Sequence, residues 1–164
     1  MLRFHALAVI ALTGISAAAA DPLPTETFKV LTLTLAVEAA QAAIAACKAD
    51  GFAVTAAVVD RAGNLQVLLA GDGVSVLSRD ITRRKAYTAA VRRIATTELT
   101  KAIAAPGAFN PTLYDTQMVA VGGGVPIKLG NQVIGGIGVG GTPSGEKDEA
   151  CANAGIAKVS DRLN

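Results

Sequence analysis

Histidine occurs once in the 164 residues, at His5, and tryptophan does not occur at all. His5 lies in a stretch with the form of a removable secretion signal. Without it the chain has no imidazole for a serine-histidine triad, a histidine zinc site or the commonest axial ligand of haem. Aromatic residues make up only 4% of the chain, too few for a platform on which bases could stack. The net charge is +2, and Arg3 leaves with the signal, so charge of one sign is too scarce for a nucleic-acid or anionic-membrane partner. No paired nucleophile and base stands out, which argues against an enzyme.

The apolar run at residues 6–15 is too short to cross a bilayer. It follows Arg3 and precedes Ala18-Ala19-Ala20, the small-residue pattern a signal peptidase needs. The expectation is a signal peptide over residues 1–20, a single domain over residues 21–164, and a periplasmic or secreted protein with no membrane span in its mature form. The two cysteines, Cys47 and Cys151, then meet an oxidising compartment. Either they form a disulfide or they are two buried thiols. Antiparallel packing of the first and last helices would bring them within bridging distance.

What the chain has in abundance is Ala, Val, Ile and Gly, the makings of a closely packed aliphatic core. Residues 25–50 read as a long helix that Thr25 can cap and Gly51 can end. Leu31, Leu35, Ala39, Ala42 and Ala46 form one apolar stripe, and Val30, Leu33, Val37 and Ile44 form another. Two stripes need two partners: the sheet, and either another helix or another subunit. Residues 53–59 and 65–69 read as a β-hairpin around Asp60-Arg61-Ala62-Gly63-Asn64. Residues 78–93 read as a basic helix capped by Ser78, and a short helix starts at Thr96 or Thr97. Strands are expected at 118–121, 125–129 and 132–139, and a last helix at 146–163 capped by Ser144, whose early acids Asp148 and Glu149 suit its dipole. Short turns between strands, with helices at both ends, predict an α+β fold: an antiparallel sheet with the terminal helices on one face.

Gly136-Ile137-Gly138-Val139-Gly140-Gly141 has the spelling of a dinucleotide fingerprint, but the βαβ unit and the distant acid are missing, so close backbone approach explains it better. Asp60, Asp72 and Asp80 suit turn chemistry more than a metal patch. Arg79, Arg83, Arg84, Lys85, Arg92 and Arg93 read either as a solvated surface or as an anion site for carboxylates. Met118, Thr116, Tyr87 and Tyr114 are the groups that could meet an iron, with Met118 also readable as a core gap-filler.

Five ordered stretches carry a family resemblance: residues 58–64 (VVDRAGN), 84–89 (RKAYTA), 122–127 (GGGVPI), 133–139 (VIGGIGV) and 148–151 (DEAC). Together they resemble the GlcG/HbpS family, also called the haem-binding or DUF336 family, over about residues 31–156. The resemblance implies a profilin-like or roadblock-like α+β sandwich and even-numbered homo-oligomers, commonly octamers. It implies haem as cofactor in secreted members, with an axial ligand from the strand leading into the glycine motif. That position falls on Met118, two residues after Thr116, where a hydroxyl ligand would be expected. Lys85 and the oxygens of Thr116 and Tyr87 are the other candidate ligands, and Arg84, Lys85 and Arg92 the candidate partners of the propionates. Some members carry two acids one helical turn apart before the Lys-Ala-Tyr-Thr motif; here Asp80 remains and Arg83 replaces the second. The implied function is haem sequestration or sensing by an exported oligomer. The alternative is an accessory factor or small enzyme acting on a carboxylate metabolite such as glycolate.

Overall fold

A computed structural model describes residues 27–163; the expected signal peptide and Thr25 lie outside the described residues. Four strands, β1 (Thr55–Asp60), β2 (Leu65–Ala70), β3 (Gly124–Leu129) and β4 (Gln132–Gly140), form one antiparallel sheet in the order β2-β1-β4-β3. The helices are α1 (Leu33–Ala49), α2 (Val76–Arg92), α3 (Thr96–Ile103) and α4 (Gly145–Val159). The fold is α+β, as its element order predicts, with α1 and α4 side by side on one face of the sheet. The second face is covered by α2, so the molecule has three layers.

The two faces are built differently. Toward α1 and α4 the strands send Ala56, Val58, Val125, Ile127, Ile137 and Val139, joined by Val54 just before β1, and the helices answer mostly with alanines. Small side chains let the two helices approach each other and the sheet closely. Toward α2 the sheet presents Ala57 and Val59 of β1 beside Gly138 and Gly136 of β4. The period of two in a strand puts Gly136, Gly138 and Gly140 on this one face. A Cβ at Gly136 would collide with the Ala86 carbonyl, and one at Gly138 with that of Thr82. The glycine-rich segment is thus a bed for the backbone of α2, the close-approach role its context predicts.

Helix α4 packs on the side of α1 that carries Ala39, Ala43 and Cys47, while Val30 and Leu33 of the second apolar stripe stay exposed; Cys47 of α1 and Cys151 of α4 are joined by a disulfide with Cα atoms 5.6 Å apart. Their local positions come from the caps: Gly51 takes φ +82° after α1, and Ser144 accepts the Lys147 amide at the start of α4. The hairpin turn is held by Asp60, whose carboxylate accepts the amides of Ala62 and Asn64 and the Asn64 side chain at 2.8–2.9 Å. Burial pushes the Asp60 carboxyl up, but these bonds and the Gly63 amide outweigh it and hold it below its ordinary value. Asp60 therefore serves the turn. Among the described residues no cluster of acids, cysteines and histidines could hold a metal ion.

The last helix ends at Val159, short of the expected 163, with a 3-10 turn at Ser160–Arg162 after it, and three other boundaries also differ from expectation. Residues 27–32 are not helical: Leu31 is tucked into the core, Gln66 donates to its carbonyl, and Thr32 caps a helix that starts only at Leu33. Ser75, not Ser78, caps α2; the Ser78 hydroxyl is buried and bonded to that of Thr55. Residues 118–121 are not a strand, for a reason that belongs to the site. No helix among the described residues is long and apolar enough to cross a membrane.

Candidate functional site

Helix α2 lays one side along the segment that follows the short 3-10 turn Pro111–Leu113. Side chains at i, i+1, i+4 and i+5 lie toward one side of a helix, and here all four reach that segment. Arg83 donates to Gln117 Oε1 at 3.2 Å and Arg84 donates to the Met118 carbonyl at 2.8 Å. Tyr87 donates its hydroxyl to Asp115 at 2.8 Å, and Thr88 Oγ1 accepts the Val119 amide at 2.9 Å while donating to the Arg84 carbonyl. This explains the missing strand: the polar backbone groups of Met118 and Val119 are satisfied by helix side chains instead of a β-ladder.

The structure thus brings together Arg84, Tyr87 and Met118, with Thr116 exposed on the same segment. Arg84 is half-buried, its Nη1 lies 3.9 Å from Asp80, and its Nε is buried without a partner. The hydrogen bond to Asp115 is the main cause that raises the Tyr87 phenol above its ordinary pKa, with burial and the Asp115 charge adding to it. A phenol held protonated and already donating is poorly set to bind iron as tyrosinate. Met118 is half-buried, so its thioether is not lost in the core. Arg92 stands apart, exposed in the last turn of α2 and ~12 Å along the axis from Arg84 at 1.5 Å per residue.

Lys85 points the other way. The residue is 3% exposed, and its ammonium donates to the Asp148 carboxylate at 2.7 Å and to the Val139 carbonyl at 3.0 Å. The other Asp148 oxygen accepts the Thr142 amide at 3.1 Å. Gly123, at φ +112°, passes this pair so closely that a Cβ would run into Asp148 and Lys85. Two expectations change as a result. Asp148 is an internal counter-ion before it is a partner of the helix dipole. The Lys85 ammonium is engaged inside the fold, which leaves Arg83 and Arg84 as the cations of this face. Asp80 faces Arg83 at 3.3 Å, so the position is an ion pair where an acid pair would hold iron.

A feature that sequence reasoning missed lies just before Thr116. Phe109 and Tyr114 stack with ring centroids 5.3 Å apart, and Phe109, Leu113 and Tyr114 are 64%, 76% and 79% exposed. Apolar surface left in water on this scale marks a ligand or partner contact. The only signal in sequence was an aromatic density unusual for this chain. A flat, largely apolar ligand with carboxylates fits this arrangement: rings and Leu113 for its face, sulfur or hydroxyl for a metal, guanidinium groups for its acids. Phe109, Leu113 and Tyr114 stand open to water, so this face presents a single wall, and enclosing a ligand as large as haem needs a second surface.

Fold and face define a small three-layer sandwich with an open apolar wall beside a basic helix. A family model described as haem degrading protein HbpS-like matches residues 31–157, and the chain belongs to this HbpS-like family. A Citrobacter freundii relative, an uncharacterized 15.0 kDa protein in the dhaT-dhaS intergenic region, is 39% identical over 117 residues, 68% of this chain and 80% of that one. The crystal structure of HbpS is 41% identical and superposes with a TM-score of 0.75, covering 85% of this chain and 97% of its own. The crystal structure of a PduOC:heme complex is 26% identical with a TM-score of 0.72, covering 79% and 95%.

Proposed function

We propose that this protein is exported, assembles with copies of itself and binds haem, for sequestration or sensing. The observation that carries the reading is the exposed Phe109-Leu113-Tyr114 wall leading directly to Thr116 and Met118, with Arg83 and Arg84 beside it. A haem-related family and a neighbour solved with haem support the ligand. The Cys47–Cys151 bridge supports export, because such bonds persist in oxidising compartments, and so does the leader pattern of residues 1–20. Self-assembly supplies the second wall. Val30 just before α1 and Leu33 at its start remain exposed, while Val37 and Ile44 pack on the chain's own core, so the interface on that side is smaller than the full apolar stripe.

Haem would supply an iron centre with its own redox and ligand chemistry; the chain contributes an axial donor, flat apolar contacts and charges for the propionates. Haemin titrated into the wild-type protein should give a saturable shift of the Soret band. Met118→Ala should move the band if sulfur ligates, and Thr116→Ala if the hydroxyl does. A wild-type spectrum equal to that of free haemin would overturn the reading.

A further inference from the structure

The two hairpin turns, β1 to β2 and β3 to β4, lie at the same end of the sheet, because β1 and β4 are antiparallel neighbours with Asp60 opposite Gly135. The C-terminal end of α2 arrives at this end too. Between them is a cleft of about 370 Å³ lined by Phe28, Arg61, Arg93, Asn131, Gln132 and Val133. We propose that this cleft binds a small polyanion, a metabolite bearing several carboxylates or a phosphate, at a site separate from the haem wall.

Two guanidinium groups from different elements line the cleft, and neither has a carboxylate within ion-pair distance among the described residues. The neighbouring acid, Asp60, is engaged by Ala62 and Asn64 within its turn. Arg61 is held in place, with its guanidinium carbon 3.6 Å from the centre of the Phe28 ring. The Gln132 side-chain oxygen takes the Lys29 amide at 3.4 Å, so its NH2 group and that of Asn131 remain as donors. Planar guanidinium forks pair with carboxylate or phosphate through two parallel bonds, and two of them call for at least two negative charges. No lining residue is a nucleophile or a base, so the cleft is built to bind and not to transform.

Arg93 carries the second observation. It caps α2 with φ +60° and ψ +24°, the single non-glycine residue with positive φ among the described residues. Helices favour glycine at such a left-handed end, because a Cβ there is strained. An arginine at this position gives up local stability that glycine would keep. What it gains is a second cation lining the cleft.

The test is calorimetric titration of the purified protein with citrate and with inorganic phosphate, each at constant ionic strength against chloride. Wild type should bind at least one of them saturably, and the one it binds names the carboxylate or the phosphate class. Arg93→Gly should weaken that binding tenfold or more while the melting temperature stays level or rises, a combination that a purely structural role cannot produce. Arg61→Gln should weaken it similarly. Both variants should keep the haemin response of the wild type. Absence of saturable binding by either anion, or equal affinity in wild type and both variants, would overturn the proposal.

Discussion

Lys85 Nζ and Asp148 Oδ2 lie 2.7 Å apart with both side chains buried, so a salt bridge ties α2 on one face of the sheet to α4 on the other. Each charge also has a backbone partner, the Val139 carbonyl for the ammonium and the Thr142 amide for the carboxylate. Removing one member leaves the other charged and desolvated. Lys85→Met or Asp148→Asn is therefore expected to cost about 3–5 kcal/mol in urea unfolding, and replacing both with apolar residues of similar volume much less. A double variant no more stable than the worse single one would show that the pair's surroundings, and not its charges, matter.

Tyr87 gives the protein an alkaline limit. The hydrogen bond to Asp115 raises the folded pKa of the phenol above the ordinary value of 10.0. Its contribution to stability is then complete below about pH 10 and is lost as pH rises through the folded value. Tyr87→Phe should be less stable than wild type at neutral pH, with the gap closing at strongly alkaline pH. A gap that stays constant from neutral to strongly alkaline pH would mean that the phenol proton is not shared with Asp115.

The Cys47–Cys151 bridge closes a loop across most of the domain, its ends 104 positions apart in the sequence. Replacing both cysteines by alanine is expected to destabilise the protein by about 2–5 kcal/mol, and wild type melted in a reducing agent should approach the variant. Insensitivity of the wild-type melting curve to reductant that demonstrably frees both thiols would contradict this.

Self-association should depend on the exposed end of the second stripe, Val30 and Leu33. Val30→Glu with Leu33→Glu should shift the elution volume toward the monomer, because each large aliphatic side chain withdrawn from water contributes about 1.5–3 kcal/mol. Both substitutions leave the protein's own core untouched. An elution volume equal to that of wild type would remove this surface from the interface.

The sequence by itself determined the parts of this protein that repeat locally. The glycines at 136, 138 and 140 fall on one face because a strand has a period of two, and the hairpin forms where Asp60 and Asn64 can bond to each other four residues apart. Ser144 and Gly51 mark helix ends through bonds and torsions confined to one turn. Tertiary structure decided everything that joins distant segments. Nothing near Lys85 announces that Asp148, 63 positions later, will neutralise it, and nothing near residues 118–121 announces that Arg84 and Thr88 will take their backbone groups in place of a neighbouring strand. The same holds for Arg61, Arg93 and Asn131, which share a cleft only because two hairpins and a helix end at one edge. Local bonding is written in neighbouring residues, whereas the burial of a charge or the convergence of two cations depends on which surfaces the whole chain brings into contact.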